Sequence, residues 1–163
     1  MKIYIASDHA GFELKSVLSK ELKDANYELV DCGAETFEPS DDYPDFIAKV
    51  AEAVQSDQTQ SQVFGIVIGG SGQGEAMVAN RTSGIRAAVF YGPVAPKQAI
   101  DIEGELTADP YAIVRLERLH NNANVLSIGA RFVSVDEAKN AVKVFLTTSF
   151  SENERHVRRI SKF

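Results

Sequence analysis

The chain has 163 residues, 44% of them hydrophobic, which suits one globular domain over residues 1–163 and is short for two. Its net charge of −6 and isoelectric point of about 5.1 disfavour a polyanion such as nucleic acid as the main partner. Because the single cysteine cannot form an internal disulfide and no apolar run resembles a membrane span or a signal peptide, we expect a cytoplasmic protein without a membrane partner.

The first half of the chain alternates short apolar runs, typical of buried strands, with helical patterns. Residues 2–7 and 27–31 are the first two predicted strands. The leucines between them recur every four residues, which predicts a helix, and a second helix is predicted to begin at Pro44. Residues 63–68 form the third predicted strand.

The second half continues this alternation. Residues 85–90 and 124–129 complete a predicted set of five strands. Near-continuous apolar strands alternating with helices are typical of a parallel sheet covered on both faces, so we predict an α/β fold. The remaining helices are predicted from their start signals. One helix follows the turn before Glu75, and another follows the pair Asp109 and Pro110. Two more follow S-x-x-E capping-box patterns, the first at Ser134 and Glu137 and the second at Ser151 and Glu154, where it precedes a separate C-terminal helix.

Residues 92–108 interrupt the alternation. The segment contains two prolines and no clear period, and it is longer than the roughly 2 to 6 residues that usually connect a strand to a helix. Long loops of this kind are often lids or binding loops, but a tolerated surface insertion has the same features. The residues alone leave both interpretations open.

A glycine-rich turn follows the third predicted strand, in the run GIVIGGSGQGEAMVANR over residues 65–81. The glycines remove side chains where a strand turns into a helix, so a ligand could approach the backbone N–H groups directly. We therefore predict an oxyanion or phosphate cradle. The turn lacks the G-x-G-x-x-G spacing, the acidic ribose partner and the P-loop lysine of nucleotide-binding folds, so nucleotide binding is disfavoured.

Glu75 ends this loop and is predicted to lie in the first turn of the next helix. The helix dipole and the free amides favour its carboxylate form, whereas closure of a pocket around a substrate would raise its pKa. A carboxylate in that setting could act as a base. A glutamate placed at a helix start only for the dipole explains the position at least as well, so the loop alone does not decide.

Further polar residues lie beside two predicted strands. Asp8 and His9 follow the first strand and residues 120–122 precede the fifth, and we expect both groups near the same edge of the sheet. Helix capping by Asp8 and a capping or surface role for His120 are the simpler interpretations. The three histidines have no H-x-x-x-H spacing and no cysteine partner, so no metal site is predicted.

The C-terminal run RHVRRISK is the densest basic cluster in an acidic protein. Arg155 and Arg159 are four residues apart and share a helix face, so they could converge on one phosphate. Arg131, just after the fifth predicted strand, adds a guanidinium at another strand end. A solvated basic tail is the alternative interpretation.

Taken together, the motifs SDHAGFELK, DYP, GGSGQGEAMVANR, GIRAA, HNNANVLSIGAR and ERHVRRI resemble the type B ribose-5-phosphate isomerases, in the wider group that includes allose- and galactose-6-phosphate isomerases. They occur in family order over nearly the whole chain, apart from the insertion at residues 92–108. The resemblance implies a metal-free, cofactor-free aldose–ketose isomerase with a Rossmann-like three-layer α/β/α sandwich, a five-stranded parallel sheet and a C-terminal helix. It also implies a homodimer with an active site assembled between subunits, and leaves open whether dimers pair into tetramers.

The resemblance further implies a role for each matching residue of the glycine-rich turn. Many members carry a catalytic cysteine at the position of Gly69 and a threonine at that of Ser71, and neither is present here. This sequence instead resembles the branch whose base is the glutamate ending G-G-S-G-x-G-E, so Glu75 would shuttle the proton between neighbouring carbons. The developing oxyanion would be held by the Ser71 hydroxyl and the amides of Gly70, Ser71, Gly72, Gln73 and Gly74.

The resemblance assigns the remaining roles to residues outside that turn. His120 would act as the acid that opens the furanose ring, Asp8 would bind sugar hydroxyls and Asn121 would contact the substrate. The phosphate would be bound by His9, Arg131, Arg155 and Arg159, with help from His156 left open.

Three functional hypotheses follow. The first is interconversion of D-ribose 5-phosphate and D-ribulose 5-phosphate, a step of the pentose phosphate pathway. The second is the same chemistry on a six-carbon sugar phosphate, because the insertion at residues 92–108 could reshape the pocket. The third is a sugar-phosphate-binding protein without turnover, which is disfavoured because binding alone needs neither a base nor a ring-opening acid.

Overall fold

The computed structural model of the chain describes residues 1–57 and 62–163 and contains the predicted alternation of strands and helices. The strands are β1 (Lys2–Ser7), β2 (Glu28–Asp31), β3 (Val63–Gly69), β4 (Ala87–Phe90) and β5 (Val125–Gly129). The helices are α1 (Phe12–Asp24), α2 (Pro44–Ser56), α3 (Gln73–Ala79), α4 (Ala112–Asn121), α5 (Val135–Thr147) and α6 (Glu154–Ile160).

The strands form one parallel sheet in the order β2-β1-β3-β5-β4. From β1 the chain moves outward to β2 and then returns to the other side of β1 to form β3. The topological switch point therefore lies between the carboxyl ends of β1 and β3, which is where open parallel sheets bind ligands.

Helices cover both faces of this sheet. In β1, Ile3 and Ile5 belong to one hydrophobic cluster, whereas Tyr4 and Ala6 belong to another. Side chains of α1, α4 and α5 complete the first cluster, and side chains of α2 and α3 complete the second. Because apolar side chains pack on both faces, the predicted three-layer α/β/α sandwich is confirmed.

The fourth strand begins later than predicted. Residues 85 and 86 are predicted as strand, yet β4 begins at Ala87. The Arg86 N–H donates to the Asn124 side-chain oxygen at 2.8 Å. A side-chain amide therefore takes the place of a ladder partner at this end of the strand.

Two of the predicted start signals have different outcomes. Ser134 and Glu137 form the predicted capping box at the start of α5, which is confirmed. The second predicted box is wrong, because the Asn153 side chain caps α6 by accepting the Arg155 N–H at 2.9 Å. The Ser151 hydroxyl instead contacts Nδ1 of His156 at 3.0 Å.

Candidate active site

A pocket of about 470 Å³ opens at the carboxyl edge of the sheet, beside the ends of β1, β3 and β5. It lies at the topological switch point, where the fold favours a ligand. The predicted site residues that line it are Asp8, His9, Gly70, Ser71, Gln73, Gly74, Glu75 and Arg131, and Ala10, Tyr43 and Met77 complete the lining.

The glycine-rich turn approaches β5 so closely that one of its residues must be glycine. Gly72 precedes α3 with a φ of +76°, in the left-handed region. A Cβ there would also come within 3.1 Å of the Gly129 backbone nitrogen. The Ser127 hydroxyl donates to the Gly72 carbonyl at 2.6 Å, which fixes the turn to the sheet.

The Glu75 side chain occupies the space left by the missing side chain of Gly69. Glu75 lies in the first turn of α3 and is only 4% exposed. A Cβ on Gly69 would overlap the Glu75 carboxylate, and its three nearest atoms would all belong to that side chain. The carboxylate therefore lies above the end of β3.

Burial raises the pKa of the Glu75 carboxyl above its usual value, and the negative charge of Asp8 adds to the rise. Backbone N–H groups of the turn and the helix start oppose this effect but do not outweigh it. A carboxylate with a raised pKa is a stronger base than a solvated one.

His9 is held at the pocket rim by a residue that the sequence analysis did not identify. The Oδ1 atom of Asp41 lies 2.7 Å from the His9 Nδ1 and accepts the His9 backbone N–H at 3.0 Å. These contacts raise the pKa of His9, with burial opposing. Asp8 caps the 3₁₀ turn His9–Gly11 by accepting the Ala10 and Gly11 N–H groups, so its predicted capping role is confirmed.

Arg131 lies across the same pocket. A Cβ on Gly70 would come within 3.3 Å of the Arg131 guanidinium, and the Arg131 N–H donates to the Gly70 carbonyl at 3.1 Å. Tyr43 immediately precedes α2 and lies against Gly74. A Cβ on Gly74 would be 2.7 Å from the Tyr43 phenol oxygen. The pocket thus combines two buried acids, Asp8 and Glu75, with one guanidinium and one imidazole beside the glycine-rich turn.

A second pocket, of about 500 Å³, contains the other predicted cations. His120 at the end of α4 and His156 in α6 have ring centroids 4.1 Å apart. Arg155 and Arg159 of α6 line the same pocket. Burial, the neighbouring His156 and the two arginines lower the pKa of His120, and Asp101 opposes them.

The two pockets lie at different edges of the sheet within one chain. The expectation that His120 lies near the same edge as Asp8 and His9 is wrong, because α4 runs back to the amino end of β5 before that strand begins. In parallel strands, a residue that precedes a strand lies opposite to a residue that follows one. Glu75 and His120 therefore do not share a pocket in the single chain.

The long segment at residues 92–108 forms part of the second pocket. Residues 99–103 and Glu105 line it beside His120. The segment folds on itself through a hydrogen bond from the Ile100 N–H to the Glu105 carbonyl and one from the Glu105 N–H to the Asp101 carboxylate. Three of its acidic side chains thus face the basic cluster, namely Asp101, Glu103 and Glu105.

Asn121 lies outside both of these pockets. It is exposed and lines a third pocket of about 520 Å³ together with Arg86 and Ala123. Its side-chain nitrogen contacts the Leu116 carbonyl at 3.5 Å. Its predicted contact with a substrate stays a prediction.

The sequence analysis missed Asp41, Tyr43 and the acids of the insertion. The order of the strands is the signal that could have located Asp41 and Tyr43. Because β1 and β2 are adjacent and parallel, the segment that follows β2 begins at the same edge as Asp8. Polar residues before a helix at that edge are therefore candidates for the pocket wall, which Tyr43 joins, or for contacts behind it, such as that of Asp41 with His9.

The possible metal ligands Asp8, His9 and Asp41 come close together. The His9 Nδ1 is already engaged by Asp41 at 2.7 Å. We therefore assign no metal site, and metal-free chemistry stays a prediction. Within residues 1–57 and 62–163, none of the helices has the length and apolar character to cross a bilayer.

Proteins of known structure and sequence resemble this chain over nearly its whole length. Ribose-5-phosphate isomerase B of Mycobacterium leprae is 38% identical over 160 residues, which are 98% of this chain and 86% of that protein. The ribose-5-phosphate isomerase B of Clostridium thermocellum has a TM-score of 0.82 at 40% identity, covering 99% of this chain and 94% of that one. The Mycoplasma genitalium enzyme, solved with bound ribulose-5-phosphate, has a TM-score of 0.83 at 37% identity, covering 99% and 92%.

The match to a family is equally extensive. Residues 3–163 match the family model described as Ribose/Galactose Isomerase. The pocket at the switch point, the glycine-rich turn and these relatives lead to one conclusion: the chain belongs to the ribose/galactose isomerase family.

Proposed function

We propose that this chain is an aldose–ketose isomerase that interconverts D-ribose 5-phosphate and D-ribulose 5-phosphate without a metal or organic cofactor. Its relatives named ribose-5-phosphate isomerase B support this activity, as does the Mycoplasma genitalium relative that binds ribulose-5-phosphate. The observation that carries the proposal is the Glu75 carboxylate, buried above Gly69 within a polar pocket. One domain over residues 1–163 performs the reaction, in the cytoplasm.

Glu75 is the proposed base. Its carboxylate removes the proton from C2 of the open-chain aldose, the C–H electron pair forms the C1–C2 double bond, and the C1 carbonyl oxygen takes up the negative charge. The C2 hydroxyl gives its proton to the C1 oxygen, which becomes the C1 hydroxyl, and the same carboxyl group returns its proton to C1 as the C2 oxygen becomes the ketone carbonyl. Burial supports this role because it raises the pKa of Glu75 toward the range of a useful base.

The glycine-rich turn stabilises the enediolate between these steps. Its backbone N–H groups and the Ser71 hydroxyl are the proposed donors to the developing charge, and such fixed donors need no reorganisation during the reaction. Asp8 binds sugar hydroxyls, and Asn121 contacts the substrate. The near absence of side chains in the turn lets a substrate oxygen approach the backbone.

We propose that two subunits complete each active site. The phosphate-binding groups His9 and Arg131 lie with Glu75 in one pocket, whereas Arg155, Arg159 and the ring-opening acid His120 lie in the other. A homodimer that joins the first pocket of one chain to the second pocket of its partner would bring all of them to one sugar phosphate. The phosphate then anchors the far end of the sugar and orients the reacting carbons.

Mixed dimers test the shared site. At a substrate concentration below the wild-type KM, Glu75→Gln and Arg159→Ala subunits are each expected to be weakly active, but a mixed dimer contains one site with both native residues. Random pairing of equal amounts should restore about a quarter of the wild-type activity, since half of the dimers are mixed and each has one intact site. Activity that stays at the mean of the two variants would contradict the shared site.

The insertion gives the six-carbon alternative a specific basis. Residues 99–103 and Glu105 line the pocket of His120, Arg155 and Arg159, so their carboxylates and apolar side chains would touch the sugar or the phosphate. A substrate panel separates the hypotheses. We expect the largest kcat/KM for ribose 5-phosphate. A larger kcat/KM for allose 6-phosphate or galactose 6-phosphate would make that six-carbon sugar phosphate the proposed substrate. Binding of these sugar phosphates without turnover of any of them would identify a binding protein.

A further inference from the structure

Asp41 is a buried acid beside the candidate active site, in the segment between β2 and α2. Its side chain is 7% exposed. One oxygen, Oδ1, accepts the His9 backbone N–H at 3.0 Å and lies 2.7 Å from the His9 Nδ1. Among the residues that the structure describes, its other oxygen, Oδ2, is buried and has no hydrogen-bond partner.

This arrangement fixes the state of the His9 ring. Because the Asp41 carboxylate can only accept a hydrogen bond, the His9 Nδ1 must carry the hydrogen that it donates. The His9 Nε2 is then the nitrogen left to contact a ligand. A buried carboxylate with one free oxygen is costly unless a nearby cation compensates its charge. His9 is the cation in direct contact with Asp41, and this contact favours the charged form of the His9 ring.

The other charged groups around His9 do not replace this contact. Asp8, at the end of β1, has its Oδ2 3.9 Å from the His9 Nδ1, beyond hydrogen-bond distance. Arg131, which follows β5, lies across the pocket and disfavours a charged His9. Glu75 of α3 and the phenol of Tyr43 line the same pocket.

We propose that Asp41 is a positioning residue that holds the His9 ring in one orientation and keeps it a cationic Nε2–H donor toward the pocket. The inference rests on the proposed function in one respect, since the acceptor of that donor is the substrate phosphate. Asp41 itself is kept out of the pocket lining and acts through His9. Its role explains why an acid precedes a helix at this edge without capping it.

The neighbouring Asp42 provides a matched control. Asp41→Asn and Asp42→Asn each remove one negative charge from adjacent positions, but Asp42 is exposed. Nuclear magnetic resonance of the imidazole nitrogens, with the His9 signals assigned through His9→Asn, reports the His9 pKa and tautomer without any substrate. We expect a raised His9 pKa and the Nδ1–H tautomer at high pH in the wild-type protein, a clear fall of the pKa in Asp41→Asn, and no change in Asp42→Asn.

Steady-state kinetics test the link to the phosphate. With ribose 5-phosphate near pH 7.5, Asp41→Asn should raise KM about tenfold, as for the loss of a charged hydrogen bond, and should leave kcat within about twofold. An equal His9 pKa in both variants would overturn the proposal. An Nε2–H tautomer in the wild-type protein would also overturn it, and that measurement does not depend on the folding of any variant. Absence of isomerase activity would overturn the proposed function, while the titration would still decide the role of Asp41.

Discussion

Replacing Gly69 by Ala should disable Glu75 without unfolding the protein. A Cβ at residue 69 would overlap the Glu75 carboxylate, and its three nearest atoms are all in that side chain. The side chain can rotate away, so the backbone of β3 and the turn need not move. Gly69 is not among the glycines with positive φ, so alanine suits its backbone conformation.

The size of the effect follows from the displacement of the carboxylate. A general base contributes about 10²- to 10⁴-fold to the rate, and a misplacement of about 1 Å costs on the order of 100-fold. We therefore expect kcat to fall about 100-fold, with KM changed only a few-fold because the phosphate-binding cations are untouched. The free energy of unfolding should stay within about 1 kcal/mol of wild type, since alanine restricts the unfolded chain at a compatible position.

Initial rates of ketose formation, combined with thermal unfolding, provide the assay. The control is a double-mutant cycle in which Gly69→Ala is measured alone and together with Glu75→Gln. If Gly69→Ala acts only through Glu75, the double variant will be no slower than Glu75→Gln. Wild-type kcat in Gly69→Ala, or a further large loss in the double variant, would refute the reasoning.

Two other predictions concern charge. Arg159→Ala should weaken phosphate binding by about 1.5 to 3 kcal/mol, which corresponds to roughly a 10- to 150-fold rise in KM. The control is Arg158→Ala, because Arg158 is exposed and lies outside the pocket lining, so its loss should change KM little. Equal effects of the two substitutions on KM would remove Arg159 from the site. Burial raises the pKa of Glu117 from 4.5 to about 8, so the folded state keeps a proton that the unfolded state loses above pH 4.5. The free energy of unfolding should therefore fall by up to about 1.4 kcal/mol per pH unit between pH 5 and 8, and urea titrations of Glu117→Gln should show a shallower fall; an unchanged slope would contradict the assigned cause.

The sheet and its helices could be predicted because local patterns specify them. Continuous apolar runs identified all five strands, and the capping box at Ser134 located the start of α5. The pattern at Ser151 failed because another local acceptor, Asn153, lies closer to the first N–H groups of α6. Start signals identify a helix more reliably than they identify the residue that caps it.

The candidate site was predictable only in part. The glycine-rich turn and Glu75 follow one another in sequence, so their proximity could be inferred. The overlap of Gly69 with the Glu75 carboxylate depends on the angle at which α3 leaves β3, which no local pattern specifies. Asp41 is 32 residues from His9, and only the pairing of β1 with β2 brings the segment after β2 to its edge.

The position of His120 shows where reasoning from order alone fails. His120 precedes a strand and Glu75 follows one, so a parallel sheet separates them in one chain. The proposed roles of His120 and Glu75 on one substrate therefore require a second copy of the chain to bring the two residues together. Sequence order gives the edge on which each residue lies, but not the surface through which two copies pair.

The most direct test of the account is the exchange of hydrogen between substrate and solvent in Glu75→Gln. Glutamine has nearly the shape of glutamate but cannot take a proton, so binding of ribulose 5-phosphate should change only a few-fold while kcat falls about 10²- to 10⁴-fold. In D₂O, the wild-type protein should incorporate deuterium at the carbon next to the carbonyl, and the variant should not. Deuterium incorporation and turnover at wild-type rates in Glu75→Gln would show that another group moves the proton.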